Sequence, residues 1–138
     1  MNVVIDTNVL ISGIFWSGNY SSQVIDAWKN RKFTLITSEE IIKELVETLR
    51  DFKIKMPEAM IQEWKNMIAN NSILIRPLKR IKIVKDDSDD DKFVEVAVEG
   101  DADFIVTQDK HLLKIKDYQG IKIIMPEEFL KTFWKFTN

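Results

Sequence analysis

The sequence predicts an α/β fold in which helices cover both faces of a parallel β-sheet. Short apolar runs of strand length alternate along the chain with longer segments in which apolar residues recur at helical spacing. Strands that alternate with helices pair in parallel, because each helix returns the chain to the same end of the sheet. A chain of 138 residues, 45% of them hydrophobic, has the size and composition of one globular domain. We therefore expect a single domain over residues 1–138.

The first half of the chain contains two strand-like runs and three helix-like segments. The predicted strands are residues 2–5 and 33–36, and the predicted helices are residues 21–30, a helix from Thr37 and a helix from Pro57. Thr37 precedes Glu40 by three residues, which is the spacing of a capping box at a helix N-terminus. Pro57 indicates a helix start, because proline is favoured where no backbone N–H is needed.

The second half continues this alternation. Its strand-like runs are residues 73–75, 81–84, 104–107 and 121–125, and its helices are a segment opened by Asp90 and Asp91, a turn at residues 110–115 and a final helix from Pro126. The segment after the aspartates places Phe93, Val94 and Ala97 on one face at helical spacing. The pattern contains no internal repeat, so the sheet is expected to be built from the whole chain.

The composition excludes several classes of protein. The chain has no cysteine, which excludes disulfides, thiolate metal sites and cysteine nucleophiles. No apolar run approaches the roughly 18 residues of a membrane span, so we expect no membrane partner. Because the first strand is predicted to begin at Asn2 and Asp6 interrupts its apolar run, we expect no signal peptide. These observations favour a cytoplasmic protein.

Acidic residues adjoin the predicted strands at their carboxyl ends. Asp6 follows the first strand, and Asp109 follows the strand 104–107. Asp90 opens the helix that leads into that strand, and Glu44 lies about two turns into the helix after the second strand. Loops and helix N-termini converge at the carboxyl edge of a parallel sheet, so we expect these four carboxylates to meet there.

Such a cluster is a site for a hard divalent cation. Carboxylates held close together repel one another unless a cation lies between them. Oxygen ligands without histidine or cysteine select Mg²⁺ or Mn²⁺. An ion of this kind polarises a phosphodiester and activates a water for in-line attack. The four acids therefore predict a metal-dependent centre that cleaves phosphodiesters.

The charge distribution favours a nucleic-acid substrate, although the net charge is −2. Residues 50–85 contain nine basic and three acidic residues, and the next six positions contain five aspartates. We expect RNA contact beside the acidic centre by Arg76, Lys79, Arg80 and Lys82. The alternative is a solvated basic surface that binds no ligand.

Three segments resemble the motifs of the PIN-domain ribonucleases, in particular the group of toxin components of toxin–antitoxin pairs. The first motif resembles the opening VVIDTNVLISGIFW, with Asp6 as its acid and Asn8 two residues on. The segment TSEEIIKELVETL resembles the second motif of the family, which places the glutamate of that motif at Glu44. The third and fourth together resemble DDSDDDKFVEVAVEGDADFIVTQDKHLL, with Asp90 and Asp109 as their acids. The resemblance spans nearly the whole chain, with the motifs in order.

The resemblance implies roles for the matched acids. Asp6, Asp90 and Asp109 are expected to hold a Mg²⁺ or Mn²⁺ ion for the cleavage of RNA. Glu44 is expected to complete the coordination of the ion or to orient the attacking water. All four residues are therefore candidate catalytic residues.

The resemblance also implies the surroundings of the site. It implies a three-layer α/β/α sandwich with a central, mainly parallel sheet of about five strands. It implies a homodimer as well, and a small antitoxin protein that blocks the site. Asn8 beside Asp6 and Thr107 beside Asp109 are the supporting residues. This group commonly has glycine where this sequence has Gln108, a change that removes no acidic ligand.

Two other functions are compatible with parts of the sequence. The segment from Asp6 to Val9 faintly resembles the signature of a phosphatase with an aspartyl nucleophile, but Asn8 cannot be the general acid that such an enzyme needs. The main alternative is a non-catalytic PIN-fold module that binds RNA or protein. Retention of all four acids argues against it, because clustered carboxylates without a ligand destabilise a protein.

Helical geometry distinguishes Asp90 from Asp91 as the metal ligand. Asp90 shares a helix face with Phe93, Val94 and Ala97, so it is predicted to point inward with them. Asp91 is rotated by roughly 100° and is predicted to be more exposed. The family pattern also favours Asp90.

Overall fold

The computed structural model describes residues 1–83 and 88–137. Parts of three predicted features lie outside these residues, namely Val84 of the strand-like run 81–84, Lys85 of the basic stretch, and Asp86 and Asp87 of the aspartate run. The elements of the first half are β1 (Asn2–Ile5), α1 (Thr7–Phe15), α2 (Tyr20–Lys29), β2 (Thr34–Thr37), α3 (Glu39–Asp51), α4 (Glu58–Asn70) and β3 (Ile73–Leu74). Those of the second half are a 3₁₀ turn (Ser88–Asp90), α5 (Asp91–Glu99), β4 (Phe104–Val106), α6 (Lys110–Leu113), β5 (Asp117–Tyr118), β6 (Ile121–Ile124) and α7 (Pro126–Thr137).

The strands form one sheet in the order β3-β2-β1-β4-β6-β5. Five of them are parallel, as predicted, and the short edge strand β5 is antiparallel to β6. The sequence did not predict β5, because two residues are too few to show a strand period. The chain passes from β1 to β2 on one side, whereas β4 lies on the other side of β1. The strand order therefore reverses between β1 and β4, and ligands of α/β sheets bind at such a reversal.

The side chains of the strands alternate between two apolar layers. Val3 and Ile5 of β1 pack with residues of α1, α2, α3, α4 and α7, whereas Val4 packs with residues of α5 and α6 on the opposite face. Leu35 and Ile36 of β2 divide between the two layers in the same way. This arrangement is the expected three-layer α/β/α sandwich. None of the helices in the described ranges is long and apolar enough to cross a membrane.

Two local predictions for the first and middle parts of the chain were wrong. The cap of α3 is Ser38, whose Oγ accepts from the backbone N–H of Ile41 at 3.2 Å, and Thr37 is the last residue of β2. The run 81–84 was predicted as a strand, but residues 81–83 form none. Their backbone N–H groups donate to carboxylates of α5 instead of to a neighbouring strand.

Candidate active site

The carboxyl ends of β1 and β4 bring Asp6 and Asp109 together. The backbone N–H of Asp6 donates to the Val106 carbonyl at 3.0 Å, which extends the pairing of the two strands. Thr107 follows β4, and its hydroxyl donates to Asp6 Oδ2 at 2.7 Å. The same hydroxyl oxygen accepts from the backbone N–H of Asp109 at 2.9 Å. The fully buried Thr107 therefore joins two acids that come from different strands.

Each of these two carboxylates also caps a helix. Asp6 is the N-cap of α1, and its Oδ1 accepts from the backbone N–H of Asn8 at 3.3 Å. Asp109 is the N-cap of α6, and its Oδ1 accepts from His111 N at 2.7 Å and Leu112 N at 3.2 Å. Helix N-termini orient the carboxylates and stabilise their negative charge. The structure places Asn8 beside Asp6 as a backbone donor, while its own side chain is exposed.

Burial raises the pKa of Asp6 above its ordinary value of 3.8, because the carboxylate is largely removed from water. The negative charges of Asp109 and Glu44 raise this pKa further. The hydrogen bonds from Thr107 and Asn8 lower it, but the balance is upward. Ionised Asp6 is therefore held at an energetic cost, and the three acids lie close enough for their charges to interact.

Glu44 is held by two partners from different elements. It lies in α3, and its Oε1 accepts from the hydroxyl of Thr7 at 2.5 Å. Its Oε2 lies 2.5 Å from the ammonium nitrogen of Lys92, at the start of α5. Thr7 directly follows Asp6, so this contact places Glu44 beside the first acid, as the sequence predicts.

Lys92 is the residue of the site that sequence reasoning missed. Its side chain is 9% exposed, and its ammonium group also donates to the carbonyl of Asp89 at 2.7 Å. Residue type alone gives no indication of this burial, because lysine is almost never buried unless its charge is paired. The signal that could have identified it is Val96, which lies four residues later on the same side of α5 and is buried.

Asp90 and Asp91 are both buried, which corrects one prediction. Asp90 directly precedes α5, and Phe93 and Val94 on its side of the helix are fully buried, in agreement with its predicted inward face. Asp91 was predicted to be more exposed than Asp90, and this is wrong, since the two are 8% and 9% exposed. Asp91 Oδ1 accepts from the backbone N–H of Ile83 at 3.2 Å, so another part of the chain covers this side of α5.

The cover is residues 78–83, which we call the covering segment. Its backbone N–H groups donate to three carboxylates spaced one helical turn apart on α5: Leu78 to Glu99 at 3.2 Å, Ile81 to Glu95 at 2.8 Å and Ile83 to Asp91 at 3.2 Å. Sequence reasoning missed this contact because the donors are backbone groups, which any residue except proline supplies. The covering segment therefore lies along the helix whose first turn reaches Glu44.

The predicted RNA-binding residues lie on and next to the covering segment. Arg76, Lys79, Arg80 and Lys82 are all exposed. Arg80 pairs with Glu95 at 3.5 Å and with Glu40 at 4.0 Å, but its side chain is still 81% exposed. Glu95 is buried, but water screens the exposed guanidinium, which therefore stays accessible to another anion.

The described residues contain no group of three or more histidine, cysteine or acidic side chains already arranged around a metal position. Both oxygens of Asp6 and both oxygens of Glu44 contact protein donors. Asp109 uses Oδ1 alone for its helix cap. The donor set itself consists of carboxylate and hydroxyl oxygens, which suits Mg²⁺ or Mn²⁺.

Comparison with known proteins identifies the family. A sequence model of the PIN domain matches residues 2–111, a range that includes all four candidate acids. The uncharacterized protein MJ1680 of Methanocaldococcus jannaschii is 30% identical over 154 aligned positions, which cover all of this chain and 95% of the archaeal protein. PIN domains have a nuclease-type fold and in general use divalent metals. The match over most of the chain, on a mostly parallel sheet with acids at its central strand ends, shows that this chain belongs to the PIN-domain family.

Proposed function

We propose that this PIN-domain protein is a Mg²⁺- or Mn²⁺-dependent endoribonuclease. The observation that carries the proposal is the pair Asp6 and Asp109, which lie at the ends of adjacent central strands and are joined by the hydroxyl of Thr107. Burial and neighbouring negative charge raise the pKa of Asp6. A divalent cation would offset this cost, because it stabilises ionised carboxylates.

Asp6, Asp109 and Asp90 are the proposed metal ligands. A bound ion would polarise the phosphodiester and activate a coordinated water. The chain itself orients the ligands: Thr107 and the N-terminus of α1 hold Asp6, and the N-terminus of α6 holds Asp109. Side chains fixed before the substrate arrives reduce the entropic cost of reaching the reactive geometry.

Glu44 is proposed to orient the attacking water. Thr7 and Lys92 hold its two oxygens, so its carboxylate has a fixed direction within the site. A carboxylate that already has a cationic partner is a poorer metal ligand than a free one, because the ammonium group repels a second cation. The contacts therefore favour water orientation over coordination.

RNA is the proposed substrate, bound along the covering segment. Arg76, Lys79, Arg80 and Lys82 supply positive charge next to α5. Phosphate groups that displace counterions from such residues contribute much of the affinity of nucleic-acid binding. A strand held here would lead toward the first turn of α5 and the acidic centre.

The cellular role that we propose is that of a toxin held inactive by a small antitoxin protein. The support is the resemblance of the three segments to motifs of the toxin components of this family. The antitoxin would act by covering the acidic centre, and the nuclease would function as a homodimer. Light scattering of the purified chain tests the dimer, and co-purification with the product of an adjacent small gene tests the antitoxin.

Cleavage of a labelled single-stranded RNA by the purified protein tests the enzymatic proposal. We expect cleavage with Mn²⁺ or Mg²⁺ and none with a chelator. Asp6→Asn and Asp109→Asn should each reduce the rate by more than about 100-fold, since even outer partners of metal ligands are worth 10–100-fold. Asp26→Asn is the matched control, because Asp26 is an exposed acid on α2 and no proposed role depends on it.

Two results would contradict the proposal. Equal cleavage by Asp6→Asn and the unchanged protein would show that the activity does not come from this site. Binding of RNA without cleavage, in either metal, would identify the chain as a non-catalytic PIN-fold module.

A further inference from the structure

The ammonium group of Lys92 lies within the acidic centre. Its nitrogen is 2.5 Å from Glu44 Oε2, donates to the Asp89 carbonyl at 2.7 Å and lies 5.0 Å from the centre of the Phe93 ring. Lysine is rarely buried to this extent unless its charge is paired. The cation is therefore a built part of the site, in contrast to the exposed basic residues of the covering segment.

The contacts of Lys92 connect the elements that carry the acids. Lys92 lies in the first turn of α5, two residues after Asp90. Its partner Glu44 belongs to α3 and also binds Thr7 in the first turn of α1, directly after Asp6. A continuous set of polar contacts thus runs from α5 through α3 to α1.

Charge balance indicates what the ammonium group does. It matches the charge of Glu44 at a separation of 2.5 Å, whereas the carboxylates of Asp6 and Asp109 accept hydrogen bonds from neutral donors. A divalent cation that approached Glu44 would meet the buried ammonium group of Lys92, and two cations at so short a distance repel each other. Metal binding and the ion pair are therefore competing uses of the same carboxylate.

We propose that Lys92 takes the place of a second metal ion, so that the centre binds one divalent cation per chain. The inference rests on the proposed function, since it assigns the metal stoichiometry of the same site. Lys92 is a positioning residue: it keeps Glu44 out of the coordination of the metal ion and holds the carboxylate in a fixed direction. The residues that would hold the metal ion are Asp6, Asp90 and Asp109.

The number of bound Mn²⁺ ions tests this inference without any measurement of cleavage. The electron paramagnetic resonance signal of free Mn²⁺ gives the bound amount in titrations of the full-length protein. We expect one ion per chain for the unchanged protein and for Lys92→Arg, which retains the charge. Lys92→Met should bind two ions, because the carboxylate of Glu44 becomes available. Lys110→Met should still bind one, since it removes an exposed lysine beside Asp109 whose charge water screens.

The possible outcomes separate this inference from the proposed function. An unchanged protein that binds no Mn²⁺ would refute the proposed function and this inference with it. One ion in both the unchanged protein and Lys92→Met, or two in both, would overturn the role of Lys92 alone.

A second variant keeps the inference testable if circular dichroism shows that Lys92→Met does not fold. Glu44→Gln should lower the Mn²⁺ affinity clearly less than Asp109→Asn does, because Glu44 is not a ligand, whereas Asp109→Asn removes one and should lower the affinity by more than about tenfold. Equal losses for the two variants would show that Glu44 coordinates the metal ion and that the inference is wrong.

Discussion

Replacement of Thr107 by valine tests whether its hydroxyl organises the acidic centre. Thr107 is fully buried, donates to Asp6 Oδ2 at 2.7 Å and accepts from Asp109 N at 2.9 Å. Valine has a similar shape, so the change removes both hydrogen bonds without opening a large cavity. Loss of a hydrogen bond to a charged group costs about 1.5–3 kcal/mol, and loss of a neutral one costs about 1 kcal/mol.

Because the change removes one hydrogen bond of each kind, the expected loss in the free energy of unfolding at pH 7 is about 3 kcal/mol, toward the lower end of the combined range. For a chain of this length, that lowers Tm by roughly 10 °C. The control is Thr107→Ser, which keeps the hydroxyl and removes one methyl group. Its expected cost is about 1 kcal/mol.

The cost of Thr107→Val should also depend on pH. The hydrogen bond from Thr107 lowers the pKa of Asp6, which burial has raised above 3.8, so its removal raises that pKa further. A carboxyl group whose pKa is higher in the folded state binds protons more tightly there. The destabilisation that Thr107→Val adds through Asp6 is therefore absent below the pKa that Asp6 has in the unfolded chain. It grows as pH rises through the pKa of Asp6 in the folded protein and is complete above it. We expect the difference between valine and serine to shrink from pH 7 toward pH 4.

Urea denaturation followed by circular dichroism, in the presence of a chelator, measures these free energies. The same two substitutions in an Asp6→Asn background complete a double-mutant cycle. With the charge of Asp6 removed, Thr107→Val should cost at least about 1 kcal/mol less, because no buried carboxylate loses its donor. Equal stability of the valine and serine variants at pH 7, or an equal cost in both backgrounds, would refute the reasoning.

Two further predictions concern the metal and the RNA. Asp90→Asn should lose most of the Mn²⁺ affinity and of the cleavage activity. Asp91→Asn should keep most of both, because the carboxylate of Asp91 accepts a hydrogen bond from the covering segment. Mn²⁺ titrations and cleavage rates compare the two variants, and a larger loss for Asp91→Asn would assign the ligand to Asp91. Joint replacement of Lys79, Arg80 and Lys82 by alanine should weaken RNA binding and reduce the slope of log K against log salt by about 2. An unchanged slope would show that these residues do not contact RNA.

The sequence determined the fold class and the approximate positions of the acids. Strand and helix periods are local, so most of the elements and the buried faces of β1, β2 and β4 follow from residues near in sequence, although the sequence analysis predicted neither α1 nor β5. Asp6 and Asp109 could be placed at strand ends, and the general rule for parallel sheets then placed them at one edge. The sequence also indicated the correct buried face for Asp90, because Phe93 and Val94 lie at helical spacing from it.

Only the tertiary structure decided which groups surround those acids. The contact between Thr107 and Asp6 joins residues 101 positions apart, and no local period predicts it. Lys92 was not among the predicted site residues, because its place against Glu44 follows from how α5 packs on the rest of the chain. Asp91 looked exposed because helical geometry predicts the direction of a side chain, not what the rest of the chain places there. The covering segment occupies that position through backbone donors, which no side-chain pattern reveals.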